Sequence, residues 1–130
     1  MLRTPFCDLL GIEAPIVQAP IWPATAPELV AAVSEAGALG SIGAVNESAA
    51  DLRARIERVR ELTDRPFAVN HVVPRLDQEA FEVTLEAAPA VVSFALGDPG
   101  DLLERVRATG AKVFHQVHTV AQASAAWPRR

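Results

Sequence analysis

The sequence predicts an α/β protein of about five strand–helix repeats around a parallel sheet, on three observations. Short apolar runs read as buried strands: Ile16-Val17-Gln18-Ala19, Leu39 to Gly43, Phe67-Ala68-Val69-Asn70, Val91-Val92-Ser93-Phe94 and Lys112 to Val117. Stretches of helical period separate them. Glycine and proline punctuate the junctions, with Pro15, Pro20, Gly37, Pro66 and Gly110 at the ends of runs. Strands and helices that alternate in this way imply right-handed crossovers and therefore parallel strands. Two architectures satisfy the pattern: an open doubly wound sheet, or an arc of a barrel.

Each element has a local cause. The first predicted strand, Ile16 to Ala19, is bounded by Pro15 and Pro20. In the helix that follows, Thr25 can cap, Pro27 fits the first turn, and Glu28 reaches back as in a capping box. Leu29, Val30, Val33 and Ala36 form its apolar stripe, and Gly37 is its stop. The glycines of the second strand, Gly40 and Gly43, suggest close approach of something to the backbone. Ser48 caps the next helix, with Leu52, Ile56, Val59 and Leu62 inward and Arg53, Glu57, Arg60 and Glu61 in solvent. Phe67 to Asn70 is the third strand, Asp77 to Ala88 a weaker helical stretch, and Val91 to Phe94 the fourth strand. A helix over Asp101 to Thr109 buries Leu102, Leu103 and Val106 and stops at Gly110. Lys112 to Val117 is the fifth strand, after which Thr119 opens a last helix with Val120, Ala123 and Ala126.

Half of the 130 residues are hydrophobic and 22% are charged, which is enough apolar surface for one globular domain over residues 1–130. A net charge of -4 supplies no basic face, and the arginines alternate with acids along the helices. Nucleic acid and anionic lipid are therefore not expected partners. Met1-Leu2-Arg3-Thr4-Pro5 leads to Asp8 and Glu13 without a long apolar run, so neither a signal peptide nor a membrane span is expected, and the expected compartment is the cytoplasm. Cys7 is the single cysteine and has no metal-type neighbour, which reads as a buried structural thiol.

In either architecture ligands meet the carboxyl ends of the strands. The informative residues are then Ala19-Pro20-Ile21, Gly43-Ala44, Asn70-His71, Ala95-Leu96-Gly97 and Gln116 to His118. A Walker loop, GxGxxG, a metal-spaced His/Cys cluster and a GxSxG elbow are all missing, so no metal site is expected. Gly37, Gly40 and Gly43 run from helix into strand, whereas a dinucleotide fingerprint runs from strand into helix. Alternation puts Phe114 and Gln116 on one face of the fifth strand and His115 on the other, beneath a helix. His71, His115 and His118 lie near strand ends, where histidine can act as acid or base, but a structural role is the default for each. Asn70 offers a donor and an acceptor at the end of a buried strand, either to a ligand or to a satisfied core network.

Several of these blocks resemble one family in its order. Pro15-Ile16-Val17-Gln18-Ala19-Pro20-Ile21, then Pro27-Glu28-Leu29-Val30-Ala31-Ala32-Val33-Ser34-Glu35-Ala36-Gly37 through Gly43, resemble the opening strand, helix and strand of nitronate monooxygenases, formerly called 2-nitropropane dioxygenases. Thr63-Asp64-Arg65-Pro66-Phe67-Ala68-Val69-Asn70, Ala90-Val91-Val92-Ser93-Phe94 and the passage from Ala108 to Ala123 resemble later blocks. The resemblance covers about Leu10 to Ala123. It implies a partial TIM-type (β/α)₈ barrel, FMN as cofactor, a small-molecule substrate and oxidation of alkyl nitronates. It also implies that backbone at Ala19, Pro20 and Ile21, the Asn70 side chain and Gln116 face the flavin. Ile21 stands where the family usually has methionine. FMN-dependent enoyl-(acyl carrier protein) reductases share the first two blocks and are the alternative enzymatic reading.

The family continues beyond the fifth helix into a glycine-rich strand and loop that carries its catalytic histidine, whereas here Ala125-Ala126-Trp127-Pro128-Arg129-Arg130 follows. No residue matches that histidine, so no catalytic residue is assigned, and His71, His115 and His118 are not substitutes. A closed barrel of this type takes about 200–250 residues. The expectation is a truncated, open arc that is inactive alone, self-associates through open sheet edges and retains flavin weakly. A non-catalytic fragment, or a subunit that completes a barrel with a partner, is the alternative reading.

Overall fold

A computed structural model describes residues 2–126. Its four strands are β1 (Gly40–Gly43), β2 (Phe67–Val72), β3 (Val91–Ala95) and β4 (Lys112–His115). The helices are α1 (Pro5–Leu10), α2 (Pro27–Glu35), α3 (Ala49–Leu62), α4 (Gln78–Ala87), α5 (Leu102–Ala108) and α6 (Val120–Ala126). The strands pair in parallel in the order β1-β2-β3-β4. Each crossover thus moves one place in the same direction, which is barrel winding; a doubly wound sheet would reverse its order.

Period-two alternation sorts the strand side chains onto two faces. Ile42, Val69 and Phe67 pack with Val30 of α2, Leu52, Ile56 and Val59 of α3, and Val83 of α4. Val92 and Phe94 continue this layer with Phe81 of α4 and Val106 of α5. The opposite face is closed at the amino ends of the strands by α1, whose Cys7 and Leu10 cluster with Ile12, Leu39, Ala68 and Val91. Phe6 of α1 also stacks on Phe114, with ring centroids 5.9 Å apart. Cys7 is fully buried there, as a structural thiol should be.

The first predicted strand is the main difference. Ile16 to Ala19 forms one isolated parallel bridge, Val17 with Leu39, so the sheet has four strands and one bridged segment instead of five strands. Gln18 N donates to Leu39 O at 2.9 Å and Leu39 N to Ile16 O at 3.0 Å. The ladder then passes to a side chain: Ser41 N donates to Gln18 Oε1 at 3.3 Å, and Gln18 Nε2 approaches Ser41 O at 3.4 Å. The proline at position 20 has no N–H to continue the pairing. Ile16 and Val17 are exposed, at 59% and 41%, although the sequence pattern reads them as buried.

Smaller corrections follow the same logic. Thr25 does not cap α2: its hydroxyl accepts from Ile21 N at 2.9 Å and donates to Ile21 O at 3.0 Å, and Ala26 takes the cap position with Pro27 in the first turn. The buried face of α2 is Val30, Ala31 and Ser34, while Leu29 is exposed. Gly40 explains that rotation, since a Cβ there would lie 2.2 Å from Val30 O; α2 sits directly on the strand. Ser48 does cap α3, accepting from Asp51 N, although Leu62 at its end is exposed. The stretch after Asp77 is a full helix capped by that aspartate. Leu102 and Leu103 are only half-buried, β4 ends at His115, and α6 buries none of its residues. The six-residue α1 carries too short a periodic pattern to be read from sequence. Among the described residues no helix is long and apolar enough to cross a membrane, and the change of sequence after Ala126 lies outside them.

Candidate functional site

Strand register places Gly43, Asn70, Ser93 and Phe114 side by side in one row. The row lies near the carboxyl ends of the strands, on the face away from α2 to α5. An open cleft of about 530 Å³ lies over it, lined by Pro20, Asn70, Val72, Ser93, Leu96, Phe114, His115 and Gln116 among others. That volume is within the usual range of small-molecule sites, roughly 300–1,000 Å³. Three of the five residues predicted to face a cofactor, Pro20, Asn70 and Gln116, line this one cleft. Ala19 and Ile21 do not line it; both are exposed in the neighbouring loop, Ile21 at 61%.

The loop lies against the sheet at Gly43, where even a Cβ would make ordinary contact. A Cβ there would sit 3.4 Å from Pro20 Cβ and 3.7 Å from Trp22 Cβ. The loop is held from the helix side by Arg55 of α3. Its guanidinium donates to Gly43 O at 3.1 Å and to Thr25 O at 2.5 Å, and it is paired with Glu47. Arg55 and Glu47 are 18% and 11% exposed, so the clamp works in a poorly hydrated setting where an ion pair is screened little. No sequence pattern singles out Arg55; the structure shows that it ties two loops together.

The polar groups of the cleft are uncharged amides, a hydroxyl and one imidazole. Asn70 Nδ2 donates to Ser93 Oγ at 2.9 Å and to Ser93 O at 3.3 Å. Gln116 lies one residue beyond β4, but its N–H still bonds Phe94 O at 2.9 Å, which fixes its backbone at the rim. His115 is half-buried on the helix side of β4, as alternation requires. It is hydrogen-bonded through Nε2 to Gly97 O at 2.8 Å. A carbonyl only accepts, so Nε2 carries the proton, and the buried Nδ1 has no partner. His115 and Gln116 also border a smaller cavity of about 210 Å³ with His118, Asp98 and Gln122.

His71 is outside the site, on the helix side of β2. It is fully buried, its Nε2 lies 2.9 Å from Thr84 Oγ1, and Phe81 meets its ring edge-on. Burial pushes its pKa down to about 4. A group this buried and this hard to protonate is a core residue. No cluster of three or more metal-binding side chains occurs among the described residues.

A parallel βα arc wound in sequence order, with an open cleft at its strand ends, is a segment of barrel-type architecture. The family model described as nitronate monooxygenase matches residues 3–81, and the chain belongs to that family of oxidoreductases. Nitronate monooxygenase of Pseudomonas aeruginosa is 54% identical over 65 residues, covering 50% of this chain and 18% of the relative. A second relative, (3aS,4S,5R,7aS)-5-hydroxy-7a-methyl-1-oxo-octahydro-1H-indene-4-carboxyl-CoA dehydrogenase of Mycobacterium tuberculosis, is 34% identical over 97% of this chain and 36% of its own length. Among solved structures, FabK from Thermotoga maritima superposes with a TM-score of 0.89 at 36% identity, over 96% of this chain and 40% of that one. Nitroalkane oxidase from Streptomyces ansochromogenes gives 0.84 at 29% identity, over 94% and 45%. The chain thus spans less than half the length of each of these four proteins.

Proposed function

We propose that the chain forms the ring-binding part of an FMN-dependent oxidoreductase that oxidises alkyl nitronates. The observation that carries this reading is the cleft that gathers Pro20, Asn70 and Gln116 at the carboxyl ends of parallel strands in a nitronate monooxygenase family member. An isoalloxazine ring is planar, with an apolar side and an edge of alternating donors and acceptors. The cleft offers apolar walls in Pro20, Val72, Leu96 and Phe114 and amides in Asn70 and Gln116. The residues therefore fit the ring. They do not supply a phosphate partner, because no lysine or arginine lines the cleft among the described residues. When bound, FMN supplies the electron transfer from substrate to dioxygen, and this chain's residues orient the ring and keep water from one of its faces.

A CoA-thioester substrate is the second reading, favoured by similarity to a carboxyl-CoA dehydrogenase across 97% of the chain, against 50% for the Pseudomonas aeruginosa nitronate monooxygenase. One chimera separates the two. Residues 2–126 replace the matching segment of the Pseudomonas aeruginosa enzyme, and oxygen uptake is followed with propyl nitronate. The expected product is a yellow protein that consumes oxygen with the nitronate. A chimera that holds FMN but is inert toward nitronates would turn the reading toward the thioester.

A further inference from the structure

We propose that Ser93 is a positioning residue: it holds the Asn70 amide in one of its two orientations, with the oxygen presented to the ligand. The inference rests on the flavin reading for the identity of the ligand, but not for the geometry. A primary amide on a strand can rotate by half a turn about its last bond, exchanging a double donor for an acceptor at the same place. Two contacts from the adjacent strand remove that freedom. Asn70 and Ser93 are register partners on β2 and β3. The amide lies 3.3 Å from Ser93 O, an atom that can only accept, so the group facing it is the NH₂. The second contact, 2.9 Å from Nδ2 to Ser93 Oγ, uses the serine hydroxyl as an acceptor.

Both anchoring contacts use Nδ2, leaving Oδ1 on the other side of the planar group to meet an occupant of the cleft that Asn70 and Ser93 both line. The site is thereby set to accept from a ring N–H. An imide N–H, as on the polar edge of isoalloxazine, matches that acceptor. A ligand with only acceptors along its edge would face the Asn70 oxygen unpaired, at a cost that discriminates against it.

The test uses the chain as it is. With ¹⁵N-labelled protein and no flavin, the Asn70 side-chain NH₂ resonances should be dispersed and exchange slowly with solvent. Ser93→Ala, which removes the shorter contact and leaves only the 3.3 Å one to the Ser93 carbonyl, should shift them and speed their exchange, and Ser93→Thr, which keeps the hydroxyl, should restore them. Unchanged Asn70 resonances in Ser93→Ala would overturn the proposal whatever the flavin result. Riboflavin titration then completes a double-mutant cycle with Asn70→Ala. Ser93→Ala alone should weaken binding by about fivefold, the effect of one hydrogen bond, and should add no further loss in the Asn70→Ala background. Two losses that simply add would contradict action through Asn70. Wild-type protein with an ordered Asn70 amide and no riboflavin binding would instead overturn the flavin reading, with the NMR comparison still deciding the role of Ser93.

Discussion

His71 shows how a single buried group couples the fold to pH. Thr84 Oγ1 donates to Ala80 O at 3.3 Å, so it accepts from His71 Nε2–H, and the second ring nitrogen, Nδ1, is left buried and unpaired. Protonating it would place a charge between Phe81 and Phe94. The folded pKa is about 4, against 6.5 for the free side chain, so the unfolded chain binds the proton first as pH falls. Stability is complete above pH 6.5 and declines between 6.5 and about 4, by about 3 kcal/mol in all. Urea unfolding at pH 7 and pH 4.5 should show this loss, and His71→Leu should remove most of the slope. An equal slope in the variant would mean that other groups drive it. From sequence, the structural reading of His71 and the burial of Cys7 were both accessible, because neither residue has a partner at metal or catalytic spacing. Ser93 was not singled out, since its significance comes from register with a strand 23 positions earlier.

Element by element, helices were legible where cap chemistry and apolar spacing agree. Ser48 before Leu52, Ile56 and Val59 is such a case, and α3 follows it. The segment around Gln18 was misread because an apolar run between prolines does not reveal whether its backbone or a side chain completes the ladder. Gln18 pairs with both backbone groups of Ser41 through its amide. Removing that amide in Gln18→Ala should cost about 1–2 kcal/mol, two ordinary hydrogen bonds. It should also speed hydrogen exchange at the Ser41 N–H while leaving β2 and β3 protected. Uniform loss of protection across the sheet would instead make this segment part of the cooperative core. Arg55 matters at the same scale, because it fastens the loop after Gln18 to the end of β1 through Thr25 O and Gly43 O. Neither tie has a sequence pattern that marks it, since each links segments far apart in the chain.

At the scale of the whole molecule, the parallel class was legible from alternation alone, and the strand order decides for barrel winding over a doubly wound sheet. The same order explains why the predicted site residues come together: parallel strands in sequence order bring all their carboxyl ends to one rim. Pro20, Asn70 and Gln116, 96 positions apart from first to last, thus share a single cleft. The cleft has apolar walls, two amides and no cation of its own among the described residues, so on the proposed flavin reading ring and phosphate recognition are separable. The most direct test is a pair of titrations, FMN and riboflavin, followed by flavin fluorescence. Weak binding of both is expected, with dissociation constants roughly in the micromolar to millimolar range and within about threefold of each other. FMN binding more than about tenfold tighter than riboflavin, or no binding of either, would contradict it.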